Sequence, residues 1–251
     1  RARSWRAAKV IQDILQDTTP EFEGPGYSRE WAESCGYRAV RALGDIGATE
    51  AIPALMRVAR DTAHPLRHIS LTVLGVLGAQ AAYPILIEAM SRDDPDERYY
   101  ASQGLGFLGN AEALDTLVQA MGDRRNLPTG ADSSRYNLVH RYVEAIGRIA
   151  NPRAIPVLQD VIRLGVGPLR YAAVQALAPI AVPELSGFLR DCCFIAEDWE
   201  VRHHALDVLS RIRTQRARSE CASRLTDERP EVRKHAAEVM DGPQLSAQTE
   251  A

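Results

Sequence analysis

"LGDIG" (residues 43–47) returns as "LGVLG" (74–78) and again as "LGFLG" (105–109), 31 residues on each time. The series continues through "IGRIA" (146–150), "LAPIA" (177–181) and "LSRIR" (209–213) at steps of 41, 31 and 32 residues, then fades in "VMDGP" (239–243). The same offsets align an apolar column, Leu55, Leu86, Leu117, Leu158, Leu189 and Cys221. They also align a mostly small one, Ala39, Ser70, Ala101, Tyr142, Ala173, Ala205 and Ala236. Two independent columns in one register mark a repeat array, in which no unit buries its apolar face alone and stacking makes the core.

Each unit holds two apolar stretches of helical period. The first is typified by "AIPALMRVA" (51–59), and Pro53, Pro84 and Pro156 fall in one column of it. Proline suits a first helical turn, where its missing N–H has no partner to lose. The second is typified by "LRHISLTVLGVLG" (66–78), which ends in a glycine suited to a left-handed cap. In "DDPDER" (93–98), Asp94 reads as the N-cap, Pro95 as the first helical residue and Glu97 as the closing member of a capping box. Strand signals are absent, so the expectation is an all-α array whose small residues let second helices approach closely.

The pattern in "WEVRHHALDVLSRI" (199–212) and "PEVRKHAAEVM" (230–240) resembles the HEAT repeat, and its short spacing is similar to the HEAT-like variety also found in phycobilin lyases. The resemblance covers about residues 28–243. It implies a right-handed α-solenoid of about six to seven helix pairs whose second helices line the concave side. It also implies that Arg67, Arg98, Arg170, Arg202 and Arg233 are the family's arginines, which bond across the turns between repeats; Gly36 and Val139 depart from that column. The expected organisation is an N-terminal amphipathic helix and loop (1–27), the array (28–243) and a polar tail (244–251). A loop insertion at 123–134 interrupts the array. The stretches "DTTPEFEGPGYS" (17–28) and "DRRNLPTGADSS" (123–134) read either as tolerated surface loops or as protrusions that grip a partner.

Composition narrows the function. With 45% hydrophobic and 25% charged residues in 251, the chain has the makings of a sizeable core. Thirty basic against 33 acidic residues give a net charge of -3, which offers no general attraction to nucleic acid or to an anionic membrane. Cys35, Cys192, Cys193 and Cys221 show no C-x-x-C spacing, which fits a reduced, cytoplasmic setting better than a disulfide framework. The longest apolar run (71–90) is interrupted by Gln80, Pro84 and Glu88 and falls into two short helices rather than one membrane span. The opening "RARSWRAAKVIQDIL" lacks the unbroken apolar core of a signal peptide, and because it does not begin with Met a targeting segment ahead of Arg1 stays open. No G-x-x-x-x-G-K-[ST], G-x-S-x-G or H-E-x-x-H occurs, so no catalytic residue is assigned.

The position after each family arginine reads Tyr37, His68, Tyr99, His140, Tyr171, His203 and Lys234; four residues on stand Arg41, Thr72, Gln103, Glu144, Gln175, Asp207 and Glu238. Residues four apart share a helix face, and the core columns lie elsewhere, so a wet ladder along the groove is expected. Its candidate partner-binding residues are Tyr37, His68, Tyr99, Gln103, His140, Glu144, Tyr171, Gln175, His203 and Asp207. His203 with Asp207 and His140 with Glu144 have possible ligand spacing, and His204 and His235 are equivalent in adjacent units. One HEAT-like family, deoxyhypusine hydroxylase, binds iron through His-Glu pairs at this part of its repeats. The matching pairs here, His68-Ile69, His203-His204 and Lys234-His235, lack the glutamate. Neighbours on a helix also diverge by about 100°. The expectation is therefore no metal and no cofactor, with the acids serving as ordinary ion-pair partners. Tyr99-Tyr100 reads as a groove wall plus a core contact, or as a pair that stacks on a base or pigment. Together these readings favour a non-enzymatic scaffold or adaptor that binds a protein or peptide in its concave groove, with no nucleic-acid or membrane partner. The alternative is a phycobilin lyase, or a subunit of one, handling a linear tetrapyrrole and its phycobiliprotein. Oligomeric state is left open by either.

Overall fold

Helices alone build the computed structural model, which describes residues 29–123, 133–165, 167–194, 196 and 198–242, with side chains from 36 on except at 133–137, 192 and 193. The expected N-terminal helix and loop (1–27), all but the ends of the 123–134 insertion, and the polar tail lie outside these residues. The first helices of the repeats are α2 (Ile52–Arg60), α4 (Tyr83–Ser91), α6 (Ala113–Gly122), α8 (Ile155–Leu164), α10 (Leu185–Phe188, continued by a π turn over Leu189–Cys193) and α12 (Gln215–Ala222). The second helices are α1 (Arg29–Asp45), α3 (Arg67–Val76), α5 (Pro95–Leu108), α7 (Ser133–Ile149), α9 (Gly167–Leu177), α11 (Trp199–Arg211) and α13 (Pro230–Asp241). Two compact units, residues 1–145 and 146–251, divide the chain.

Within each unit the repeat columns become the packing seam. In the first unit α3 packs between α1 and α5, with α2 behind α3 and α4 behind α5. In the second, α11 packs between α9 and α13, with α8 behind α9 and α12 behind α13. Leu55, Leu86, Leu117, Leu158, Leu189 and Cys221 are all fully buried. So are Ser70, Ala101, Tyr142, Ala173, Ala205 and Ala236, while Ala39 is half-buried. Small residues of the second helices serve close approach, as expected. A Cβ added at Gly75 of α3 would lie 2.1 Å from the Gly104 carbonyl oxygen of α5, so the two backbones touch directly.

Local signals place the helix ends. Proline opens α2, α4 and α8. The residue closing each repeat is left-handed at Gly47, Gly78 and Gly109 (φ 67°, 67° and 70°), and Ala150 (54°) and Ala181 (34°) take the same turn without being glycine. Asp94 caps α5 as predicted, its carboxylate accepting from the Asp96 N–H at 2.9 Å. The capping box, however, does not close. Glu97 is buried and its carboxylate takes Arg67 of the preceding repeat instead, with Arg67 Nε at 2.8 Å.

That exchange belongs to a wider rule that governs the arginine column. Arg67 donates to the Ala59 carbonyl, Arg98 to Arg92 (2.5 Å), Arg170 to Gly165 (3.1 Å), Arg202 to Ala196 (2.6 Å) and Arg233 to Asp227 (2.7 Å). Most of these carbonyls stand at or just past the end of the repeat's own first helix, where acceptors have no intrahelical partner and cations are favoured. Among the described residues, Arg67, Arg170 and Arg202 also reach an acid at the start of the next second helix. Arg67 pairs with Glu97, Arg170 with Asp198 at 3.7 Å, and Arg202 with both Asp227 oxygens at 3.1 Å. Each such guanidinium ties one repeat to the next.

The Asp227 pair carries a pH prediction. Burial pushes its carboxyl up, but hydrogen bonds from Arg202 and the Arg229 N–H, with the charges of Arg202 and Arg224, outweigh that and hold it below its ordinary value. A carboxylate depressed in the folded state contributes stability above its unfolded value of about 3.9, and the contribution is lost as pH falls through the folded value. Acid unfolding followed by far-UV circular dichroism should therefore lose stability below about pH 4. Asp227→Asn should be less stable at neutral pH yet lose less on acidification; an identical acid profile would remove Asp227 from the account.

Candidate functional site

In the first unit the second helices enclose a cleft of about 390 Å³. Tyr37, Arg41 and Asp45 come to it from α1, Thr72 and Val76 from α3, Tyr99, Tyr100, Gln103 and Phe107 from α5, and Arg141 from α7. Helical spacing brings them together, because i and i+4 positions on parallel neighbours stack into one wall. The Arg141 guanidinium lies 5.1 Å from the centroid of the Tyr99 ring and its Nη1 is 2.5 Å from the Glu144 carboxylate. Tyr99 meets Tyr100 edge-on at 5.2 Å, and the Tyr100 ring stacks on His68 at 5.5 Å and 6°. Burial, aided by a hydrogen bond with Tyr37, raises the Tyr100 phenol well above its ordinary value, so it stays a neutral hydroxyl. Val76 (41% exposed) and Phe107 (44%) form an apolar rim.

Three of the candidate residues, Tyr37, Tyr99 and Gln103, line this cleft. His68 lies behind it against Tyr100 and pairs with Asp94 at 3.3 Å. His140 pairs with Glu144 at 3.6 Å as the four-residue spacing suggested, but neither is among the lining residues. The expected wet face is interrupted at Thr72, which is buried and donates its hydroxyl to the Tyr100 carbonyl at 3.0 Å. Tyr100, Phe107 and Arg141 were not in the predicted ladder; each stands one or more positions away from the two columns that defined it.

In the second unit Tyr171 and Gln175 of α9, His203, His204 and Asp207 of α11, and His235 of α13 form one polar cluster. Asp207 does not pair with His203, as the i+4 spacing suggested. Its Oδ2 is 3.3 Å from His204 Nδ1 and its Oδ1 is 2.8 Å from His235 Nε2, a residue of the next helix. His203 instead stacks on His235 at 4.1 Å and 11°, with Trp199 edge-on at 6.2 Å. Gln175 Nε2 lies 3.1 Å from a ring nitrogen of His204, and Tyr171 lies 5.7 Å from the same ring. Burial lowers the His203 imidazole, as do its neighbours His235 and His204. Burial would raise the Asp207 carboxyl, but hydrogen bonds with His204 and His235 prevail and hold it well below the carboxylate range. The hydrogen bond with Asp207 raises His235. His203 and His204 diverge along the helix, but their side chains bring ring nitrogens back toward one another: one ligand atom each from His203, His204 and Asp207 lie within 4.8 Å of one another.

Helix pairs stacked in register on an apolar seam, with arginines tying one repeat to the next, define an all-α helical-repeat protein. Residues 36–100, 84–178 and 188–245 match the HEAT repeats, and the chain belongs to that family. No curated protein matches it in sequence. Among solved structures, it is similar to the complex of CpcE and CpcF of phycocyanin lyase from Nostoc sp. PCC7120, with a TM-score of 0.52 and 22% identity over 89% of this chain and 97% of that one. An archaeal HEAT-like repeats protein from Thermococcus onnurineus NA1 gives 0.49 and 15%, over 93% and 95% of the two chains. Human deoxyhypusine hydroxylase in complex with glycerol gives 0.40 and 17%, over 96% and 98%. The likeness to the first is one of fold. Among the described residues no helix is long and apolar enough to cross a membrane.

Proposed function

We propose that the chain is a non-enzymatic cytoplasmic scaffold or adaptor, and that the cleft of the first unit anchors a segment of its protein partner. The observation that carries this is the wall itself: three tyrosines, a guanidinium against one of them, and an exposed Val76 and Phe107 rim. Tyrosine gives large contact area at low entropic cost and is enriched among binding hot spots. Arg41 favours a carboxylate nearby, while Arg141 is already paired with Glu144 and serves the wall through its stacking on Tyr99. The fitting segment presents a large apolar or aromatic side chain beside an acidic one. Tyr171 and Gln175 on the second unit are the corresponding candidates there.

Partner affinity, measured with the partner identified by cross-linking and then purified, tests the reading. Tyr99→Ala with Tyr171→Ala should weaken binding at least tenfold, since central aromatics cost about 2 kcal/mol or more when truncated. Helicity and melting should hold, because both rings are only half-buried. The exposed Glu231→Ala is the control. Unchanged affinity in the double variant would remove the ladder as the binding face.

A second reading places a linear tetrapyrrole in the same cleft, with stacking faces from the tyrosines and Arg41 for a carboxylate, in a phycobilin lyase or a subunit of one. The similarity to phycocyanin lyase is what raises it. A visible absorption change on mixing the chain with a bilin, lost in Tyr99→Ala, would select it over the peptide reading.

A further inference from the structure

We infer that His203, His204 and Asp207 form a binding site for one divalent transition-metal ion of the zinc type, with His235 as the residue that holds the carboxylate in place. The site lies in the second unit, where Tyr171 and Gln175 flank it, and metal binding is measured with no partner present, so its outcome is read apart from that of the peptide reading.

Geometry comes first. Tetrahedral zinc with bonds of about 2.0–2.2 Å sets its ligand atoms roughly 3.3–3.5 Å apart. His204 Nδ1 and Asp207 Oδ2 already stand 3.3 Å apart, and the whole set of three ligand atoms lies within 4.8 Å. All three side chains stand on one stretch of α11, residues 203–207, so the set does not depend on two helices moving together.

Support for the ligands comes from the neighbouring helices. Metal sites commonly fix a ligating group with an outer hydrogen-bonded partner, and ligating carboxylates are themselves hydrogen-bonded. His235 fills that role from α13: its Nε2 occupies Asp207 Oδ1 at 2.8 Å and leaves Oδ2 for the ion. The same ring stacks on His203 at 4.1 Å and so fixes that imidazole too. From α9, Gln175 and Tyr171 hold the His204 ring. An aqueous loop cluster would have none of these supports.

The donor set then selects the ion. Two imidazoles and one carboxylate suit zinc, nickel or copper, whereas magnesium and calcium demand oxygen ligands. Three protein ligands leave a coordination position for water or for a donor atom of a bound partner. Asp207, 41% exposed, leaves the site open to solvent on that side.

The test uses the full chain, stripped with a chelator and exchanged into metal-free buffer. Titration with cobalt should give one equivalent and a visible d–d spectrum, which zinc displaces. His204→Ala and Asp207→Asn should each lower affinity at least tenfold, and His235→Ala about 10–100-fold, as loss of an outer partner does. His68→Ala and His140→Ala should change nothing. Circular dichroism follows folding throughout, and the double variant His203→Asn, His204→Asn, which keeps polar side chains of similar size, repeats the test if an alanine variant melts. Failure of the unaltered chain to bind one equivalent, or binding in Asp207→Asn and in the double variant as tight as in the unaltered chain, overturns the site.

Discussion

Arg67→Met is expected to lower the stability of the first unit by about 3–5 kcal/mol, the usual result of removing one partner from a buried ion pair. The arginine and Glu97 are both buried, so the variant leaves a carboxylate inside the protein with neither its cation nor water. It also strips the Ala59 carbonyl, at the end of α2, of its donor. Desolvation is the larger part of the loss, and this gives the experiment its second arm. Arg67→Met combined with Glu97→Leu replaces the pair with apolar side chains of similar volume and should recover most of the deficit, because the net worth of a buried pair against well-packed hydrophobes is small. Urea unfolding of the two variants measures both numbers. A single variant within 1 kcal/mol of the wild type, or a double variant as unstable as the single one, would show that this pair does not tie the repeats together.

Arg67 also shows which features a sequence reveals and which it hides. The repeat period, the Leu55-to-Cys221 seam and the arginine column recur at fixed offsets, and whatever recurs in every copy is set by contacts that every copy makes. Pro53, Pro84 and Pro156 obey rules of a single helical turn and were equally plain. Glu97 was misread because the capping box is also a single-turn rule, and its competitor sits 30 residues away in the preceding repeat. A carboxylate offered either one backbone N–H or a buried guanidinium goes to the charge. The same failure recurs at Asp207, where i+4 counting named His203 while the packing of α11 against α13 supplied His235. Thr72 fell inside for a related reason: α3 and α5 approach backbone to backbone at Gly75 and Gly104, and the face between them closes. The cleft was half visible. Tyr37, Tyr99 and Gln103 stood in the ladder, but Arg141 and Phe107 join the wall only through the stacking of neighbouring helices.

Leu117→Ala should cost about 2–5 kcal/mol. Leu117 is fully buried on α6, which packs against α4 within the first unit, and it sits in a column that is apolar in every copy. Truncation removes the transfer free energy of three carbons and leaves a void that the packed helices of the unit fill poorly, so the cost lies above simple transfer. For a chain of this size a loss of that order lowers the melting midpoint by roughly 5–15 °C. In a repeat array stability is carried by interfaces between neighbours, so the damage should be graded along the chain. Native-state hydrogen exchange should show α4, α5 and α6 losing protection while α11, α12 and α13 keep theirs. Leu158→Ala, at the equivalent fully buried position of the second unit, should give the reverse pattern. A midpoint unchanged within error in Leu117→Ala would mean that this side chain does not fill the seam. Equal loss of protection in both units would mean that the chain melts as one cooperative body, and that stability is not a sum over neighbouring repeats.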